Sequence, residues 1–409
     1  MPSVPELAGY AEVRASWSLG VEGTPWALVE RVRPRVRVMP SDRVRVEIVP
    51  EFALAQGRHL VDEVVRTVEE SEAGPLLDAV GCAPSPPPRY AAASQYVSVE
   101  RMQLELDLPA VDLTVGRQAV AWGSGLAFRP SDLYGEVLLT EPWRERRGVN
   151  ALRAVVPVGD HALTALLVAD DDLSGVSADP GSWPFGGALK GTVRAAGVDL
   201  SAVGTVRHVP GWAADGESRR DGFVGVDVRG TRGVGWWIEG GWHVGEDAPE
   251  VVAGVDWSLP VLTMFTVAAE GRWDGTGSPP GQAPAVPPGV DAAALGIDCA
   301  LLPAPTSTRP RVTSGRAYAD ALVRVAFDPT WSASAAWVAN LEDGSSMLVP
   351  SVAALLGSRV TAAVVAQVPV GARGEFRPEV PALPLGPVRV DFAGLVPDAT
   401  LQAWVRTAF

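Results

Sequence analysis

The residues with the most obvious chemical capacity are arginines at alternate positions. Arg31, Arg33, Arg35 and Arg37 alternate with Val32, Pro34, Val36 and Val38. After Pro40-Ser41-Asp42 the pattern resumes, with Arg43, Arg45 and Glu47 against Val44, Val46 and Ile48. In an extended chain a period of two gathers the charged residues onto one face. A face of guanidinium groups lining a water-filled passage favours anions, or anionic groups on larger solutes. Arg14, Arg101, Arg229, Arg324 and Arg406 extend the same phase on other segments. So do the acids Glu12, Glu51, Glu105, Asp107 and Asp112, which gives a second reading: internal ion pairs that brace a wall. Both readings stand at this point.

Other chemistry finds little support. His59, His161, His208 and His243 have no metal-ligand spacing, and neither a Gly-x-Ser-x-Gly element nor a phosphate-cradling loop occurs. No enzyme activity, metal or cofactor is expected. Asp170-Asp171-Asp172 reads as a solvated loop rather than a calcium site. Cys82 and Cys299 are compatible with one loop-to-loop disulfide or with two free thiols. Lys190 is the single lysine, and a net charge of −14 argues against nucleic acid as a partner.

Strands must position these residues. Period-two segments of about ten residues, the length of a tilted strand crossing a bilayer, recur throughout. Ala11, Val13, Ala15 and Trp17 alternate with Glu12, Arg14, Ser16 and Ser18, and Met102, Leu104 and Leu106 alternate with Arg101, Gln103 and Glu105. Comparable alternation runs through Val224–Val228, Val234–Trp242, Ala317–Phe327 and Trp331–Leu341. Polar marking is poorest between Leu152 and Val209. Connections alternate between very short ones, such as Pro109-Ala110, Gly159-Asp160, Ala196-Gly197 and Gly357-Ser358, and long ones, about 56–94, 122–147, 274–315 and 369–397. Short turns on one rim and long loops on the other characterise bacterial outer-membrane barrels. The expected fold is all-β: a transmembrane antiparallel up-and-down β-barrel of about eighteen strands, or sixteen, as one domain over 1–409. A helical span over Met347–Val370 would bury Arg359 in mid-membrane, so a strand hairpin is expected there.

Trp17, Trp26, Trp242, Trp257, Trp273, Trp331 and Trp337 fit interfacial girdles, whereas Trp237 and Trp404 fall on the inward phase. The final alternating segment ends in Phe409, which resembles the assembly signal that the barrel-assembly machinery reads in outer-membrane proteins. Residues Met1–Leu7 do not read as a secretory leader, so this reading requires that one was removed.

The most specific local sequence runs Val115-Gly116-Arg117-Gln118, then Trp122-Gly123-Ser124-Gly125, then Pro130-Ser131-Asp132-Leu133. This Gly-Arg-Gln…Trp-Gly-x-Gly…Pro-x-Asp-Leu element resembles porin-like outer-membrane families, the alginate-export type and related barrels. The resemblance implies a channel with a loop folded into its lumen, and it transfers no substrate. Glycines at 116, 123 and 125 suit close approach to a wall. Arg117 falls on the outward phase unless a bulge at Gly116 turns it inward, and Asp132 could pin the loop to a wall arginine. The block could equally be a folding signature. Two functions follow: a passive channel for small hydrophilic, anionic solutes or acidic saccharides, or a non-conducting anchor that uses its long loops. A Gram-negative outer membrane, its lipids and a monomeric state complete the expectation.

Overall fold

The computed structural model describes residues 5–21, 24–58, 93–134, 148–169, 185–209, 219–261, 263–277, 315–376, 383–385, 388–390 and 397–409. The strands are β1 (Glu6–Leu19), β2 (Trp26–Ser41), β3 (Val44–Arg58), β4 (Ala93–Leu108), β5 (Val111–Gln118), β6 (Val149–Val158), β7 (His161–Ala169), β8 (Phe185–Ala195), β9 (Val198–Val209) and β10 (Arg219–Arg232). They continue as β11 (Val234–His243), β12 (Ala248–Leu259), β13 (Met264–Asp274), β14 (Ala317–Ala326), β15 (Trp331–Asn340), β16 (Ser345–Leu356), β17 (Val360–Gly371) and β20 (Ala399–Ala408). A separate two-stranded hairpin is formed by β18 (Leu383–Leu385) and β19 (Val388–Val390).

Every large strand pairs antiparallel with its neighbour in the chain, β17 pairs with β20, and β20 returns to β1. The sheet is thus a closed ring of 18 strands without a free edge. One rim carries only tight connections, including Asp42-Arg43, Pro109-Ala110, Gly159-Asp160, Ala196-Gly197 and the single residue Gly233. The helical alternative over Met347–Val370 gives way to the β16–β17 hairpin, which turns at 357–359 around Gly357. Most of the loops expected at 56–94, 122–147, 274–315 and 369–397 lies outside the described residues, as do Cys82, Cys299 and Asp170–Asp172.

Burial is inverted relative to a soluble β-protein. Val13, Val32, Phe52 and Leu167 are 49%, 44%, 47% and 63% exposed, whereas Glu12, Arg31 and Glu51 are 3%, 6% and 2% exposed. Alternation therefore sends apolar side chains outward and charges inward, the arrangement required of a wall that has an apolar solvent outside. Trp26, Trp242, Trp257, Trp273, Trp331 and Trp337 lie exposed on the outer face, and Trp237 is buried inside.

The ring closes where Gly9 and Phe409 exchange two main-chain hydrogen bonds of 3.0 Å. A Cβ at Gly9 would stand 2.8 Å from Cα of Pro34 and 2.9 Å from Cζ of Phe409. Gly9→Val is expected to destabilise the seam by about 2 kcal/mol, the scale of overpacking. A smaller heat-modifiable folded band after refolding would show it, and an unchanged band would refute the steric account.

Candidate functional site

The register decides what the arginines meet. Across β1–β2, Arg31 stands opposite Glu12, and across β2–β3, Arg37 stands opposite Glu47. Arg31 pairs with Glu12 at 3.3 Å and with Glu51 at 3.2 Å. Arg33 donates from Nε to Glu51 at 2.8 Å, with a second close contact from Nη2. Arg37 reaches Glu47 at 2.9 Å, and Arg406 reaches Glu12 at 2.6 Å while its guanidinium lies 4.3 Å from the Tyr10 ring centre. Glu12 and Glu51 each hold two guanidinium groups, so the most buried part of the stripe, with Arg406, is internally paired, three cations to two carboxylates. Arg35 and Arg101 lie at the limit of pairing with Glu47, at 4.0 and 3.9 Å.

Other members of the expected stripe are dispersed. Arg43 does not share a strand with Arg45, because it occupies the Asp42-Arg43 turn before β3. Arg45 pairs with Glu105 at 2.8 Å near that rim. Arg229 is held by Asp199 at 3.1 Å, at the same rim. Arg14 is half-buried, and Arg324 is exposed on the inward phase of β14. Arg117 is only 4% exposed, and the preceding Gly116 has φ +109°. Pairing runs through Gly116 on both sides without a shift, so no inserted residue forms a bulge there, and the register sets Arg117 opposite Met102 and Asn150.

The segment after β5 forms a second feature of the interior. Val120, Trp122 and Tyr134 are buried against Val149, Ala151, Leu166, Val168, Ala188, Val203 and Phe223, which line the inner face of β6–β10. Its middle extends to β11 and β13, six and eight strands around the ring from β5. There two wall carboxylates receive its main chain. Glu239 accepts from the N–H of Ser124 at 3.0 Å and of Ser131 at 2.7 Å. Glu270 accepts from the N–H of Leu126, Ala127 and Phe128 at 2.6, 3.1 and 2.9 Å, and from Trp237 Nε1 at 2.6 Å. Residues 119–134 therefore cross the barrel interior.

Wall carboxylates hold main-chain N–H groups of the insert, a role the sequence reading did not give to Glu239 or Glu270. The main-chain N–H of Asp132 donates to the Arg129 carbonyl at 3.0 Å and closes a local turn. Arg129 curls onto the carbonyls of Gly125 and Leu126 at 2.6 and 3.4 Å. Phe128 lies under Arg272 at 4.8 Å and beside Tyr318 at 5.6 Å, and Pro130 is buried. Arg272 is in turn fixed by Glu250 at 2.7 Å and by Asp274, and Glu250 also bonds His243 at 2.7 Å.

The two glycines of Trp-Gly-x-Gly now have a physical reason. Gly123 has φ +81°, and a Cβ there would stand 2.7 Å from Oε1 of Glu239. At Gly125 a Cβ would collide with the Phe128 carbonyl. Gly123→Ala combines left-handed strain with that collision and is expected to cost about 2 kcal/mol locally. Faster proteolysis within 119–134, with the folded band unchanged, would report it; equal protection would refute it.

Fold and interior together define a closed 18-strand antiparallel barrel with a loop drawn into its lumen. No protein-family model matches the chain, and no curated protein matches it. Among solved structures it is similar to OccK5 (OpdH) of Pseudomonas aeruginosa, at 9% identity and a TM-score of 0.54, over 98% of each chain. It is similar also to OccK11 (OpdR) of the same organism, at 8% identity and a TM-score of 0.52, over 99% of this chain and 95% of that one. Both are outer-membrane porin-type barrels, and at these identities the likeness is one of fold.

Proposed function

We propose that the chain is a single barrel domain in a Gram-negative outer membrane, and that it passes small hydrophilic solutes by diffusion. The observation that carries the reading is the inverted wall, apolar outside and charged inside, closed without an edge and narrowed by residues 119–134. The lumen lining would comprise Arg14, Arg31, Arg33, Arg35, Arg37, Arg45, Glu47, Arg101, Glu105, Arg117, Arg229, Arg324 and Arg406. The ion pairs to Glu12, Glu47 and Glu51 support bracing as the work of the buried β2 arginines. A finer preference, for anionic solutes or acidic saccharides of the kind the alginate-export resemblance suggests, then depends on guanidinium groups that keep contact with water. Phe409 at the seam suits a residue read by the assembly machinery, and a monomer is the working state.

Conductance of the refolded protein in a planar bilayer tests the reading, with anion-to-cation permeability taken from a salt gradient. A steady open level is expected. Silence from a barrel shown to be folded would overturn it and favour an anchor acting through its long loops.

A further inference from the structure

Near the tight-turn rim, five strands place one polar side chain each in a single row. The register runs Ser258 (β12) opposite Thr266 (β13), Thr266 opposite Arg324 (β14), Arg324 opposite Ser334 (β15), and Ser334 opposite Ser351 (β16). Ser258 and Thr266 share a hydroxyl hydrogen bond of 3.0 Å, and Ser334 and Ser351 share one of 2.6 Å. Each pair consumes one of its two hydroxyl protons internally and leaves the other available to a ligand.

Arg324, between the two pairs, is exposed on the inward phase and makes no hydrogen bond or ion pair among the described residues. That separates it from Arg31, Arg33 and Arg406, whose guanidinium groups are held by Glu12 and Glu51. Acids are set back from the row. Asp256 is one inward position deeper on β12, opposite Ala268, and Asp320 is two deeper on β14, with Leu322 between. Asp328, in the turn after β14, spends Oδ1 on the N–H groups of Thr330 and Trp331.

We propose that this row is an oxyanion site at the tight-turn mouth. Arg324 presents its fork to a small phosphate or carboxylate, and one hydroxyl proton on each side completes the donor set. The site deepens the channel reading and rests on it for its role, since it would collect anionic solutes where they enter or leave the lumen.

The test uses the full chain refolded in a neutral, phosphate-free detergent, with inorganic phosphate and acetate as probes. Line broadening of each probe by NMR is compared between the wild type, Arg324→Gln and Arg324→Lys. Phosphate binding is expected to weaken about fivefold in Arg324→Gln, the scale of an exposed charge contact, and less in Arg324→Lys. The more strongly broadened probe names the preferred oxyanion. Because Arg324 has no partner among the described residues, both variants should give the wild-type folded band. Equal broadening in wild type and Arg324→Gln, or none in either, overturns the site. Conductance is read separately. A silent barrel whose broadening depends on Arg324 keeps the site and loses the channel; a conducting barrel without that dependence does the reverse.

Discussion

Glu270→Gln should loosen the lumen insert and raise single-channel conductance while leaving the barrel folded. Glu270 is 4% exposed, and its two oxygens accept from three main-chain N–H groups and one indole N–H. An amide in its place must turn its NH2 towards one of those donor pairs. Two buried donors then lose their acceptor and face another donor. Hydrogen bonds to charged groups contribute roughly 1.5–3 kcal/mol each, so the local loss is about 3 kcal/mol or more. The insert keeps Glu239 and the Tyr134 hydroxyl, which donates to the Val206 carbonyl at 2.7 Å. Detachment is therefore partial: larger open conductance, more current noise and faster cleavage within 119–134. Glu30→Gln, on the outward phase of β2, is the control. Unchanged conductance together with unchanged protease protection would refute the anchoring role.

The second large effect lies across the barrel. Glu51→Leu removes the acid that holds Arg31 and Arg33, both nearly buried at 6% and 4% exposure. Breaking one partner of a buried pair leaves an uncompensated charge and costs about 3–5 kcal/mol. Arg31 retains Glu12, and Arg33 retains the Tyr10 ring, 5.7 Å from its guanidinium carbon. The urea midpoint of the refolded barrel should fall accordingly, and adding Arg33→Met should recover part of the loss. If bracing is the work of this network, permeability ratios move little compared with stability. A clear rise in anion preference at unchanged midpoint would return these arginines to a selectivity role.

The contrast between these two regions also explains what the sequence could disclose. On β1–β5 and β10–β17 the inward residues are mostly charged or small and the outward ones apolar, so alternation is easy to read. It fades on β6–β9 because Ala151, Leu166, Val168, Ala188 and Val203 face the insert rather than water. A strand with apolar partners on both faces loses its period-two mark, which is why the stretch from Leu152 to Val209 was poorly marked. The Arg31–Arg37 stripe and the acids near it were legible as one phase, but only the register assigns Glu12 and Glu51 to particular guanidinium groups. Arg43 was misplaced because a turn of two residues can continue the alternation of a strand without belonging to it. Glu239 and Glu270 carried no local sign, since the donors they serve lie more than 100 positions away. The Trp-Gly-x-Gly element did point to a close approach, though not to the carboxylate approached.

The way the insert is fastened bears on how such a pore could be retuned. Its attachment to Glu239 and Glu270 runs through five peptide N–H groups, which every residue except proline possesses. The identity of Ser124 is thus decoupled from the anchorage, whereas Gly123 and Gly125 are not, and Leu126 and Ala127 also pack against the cluster of Phe128, Trp237 and Tyr318. A library restricted to position 124 would vary the chemistry of the constriction and leave its address on the wall untouched.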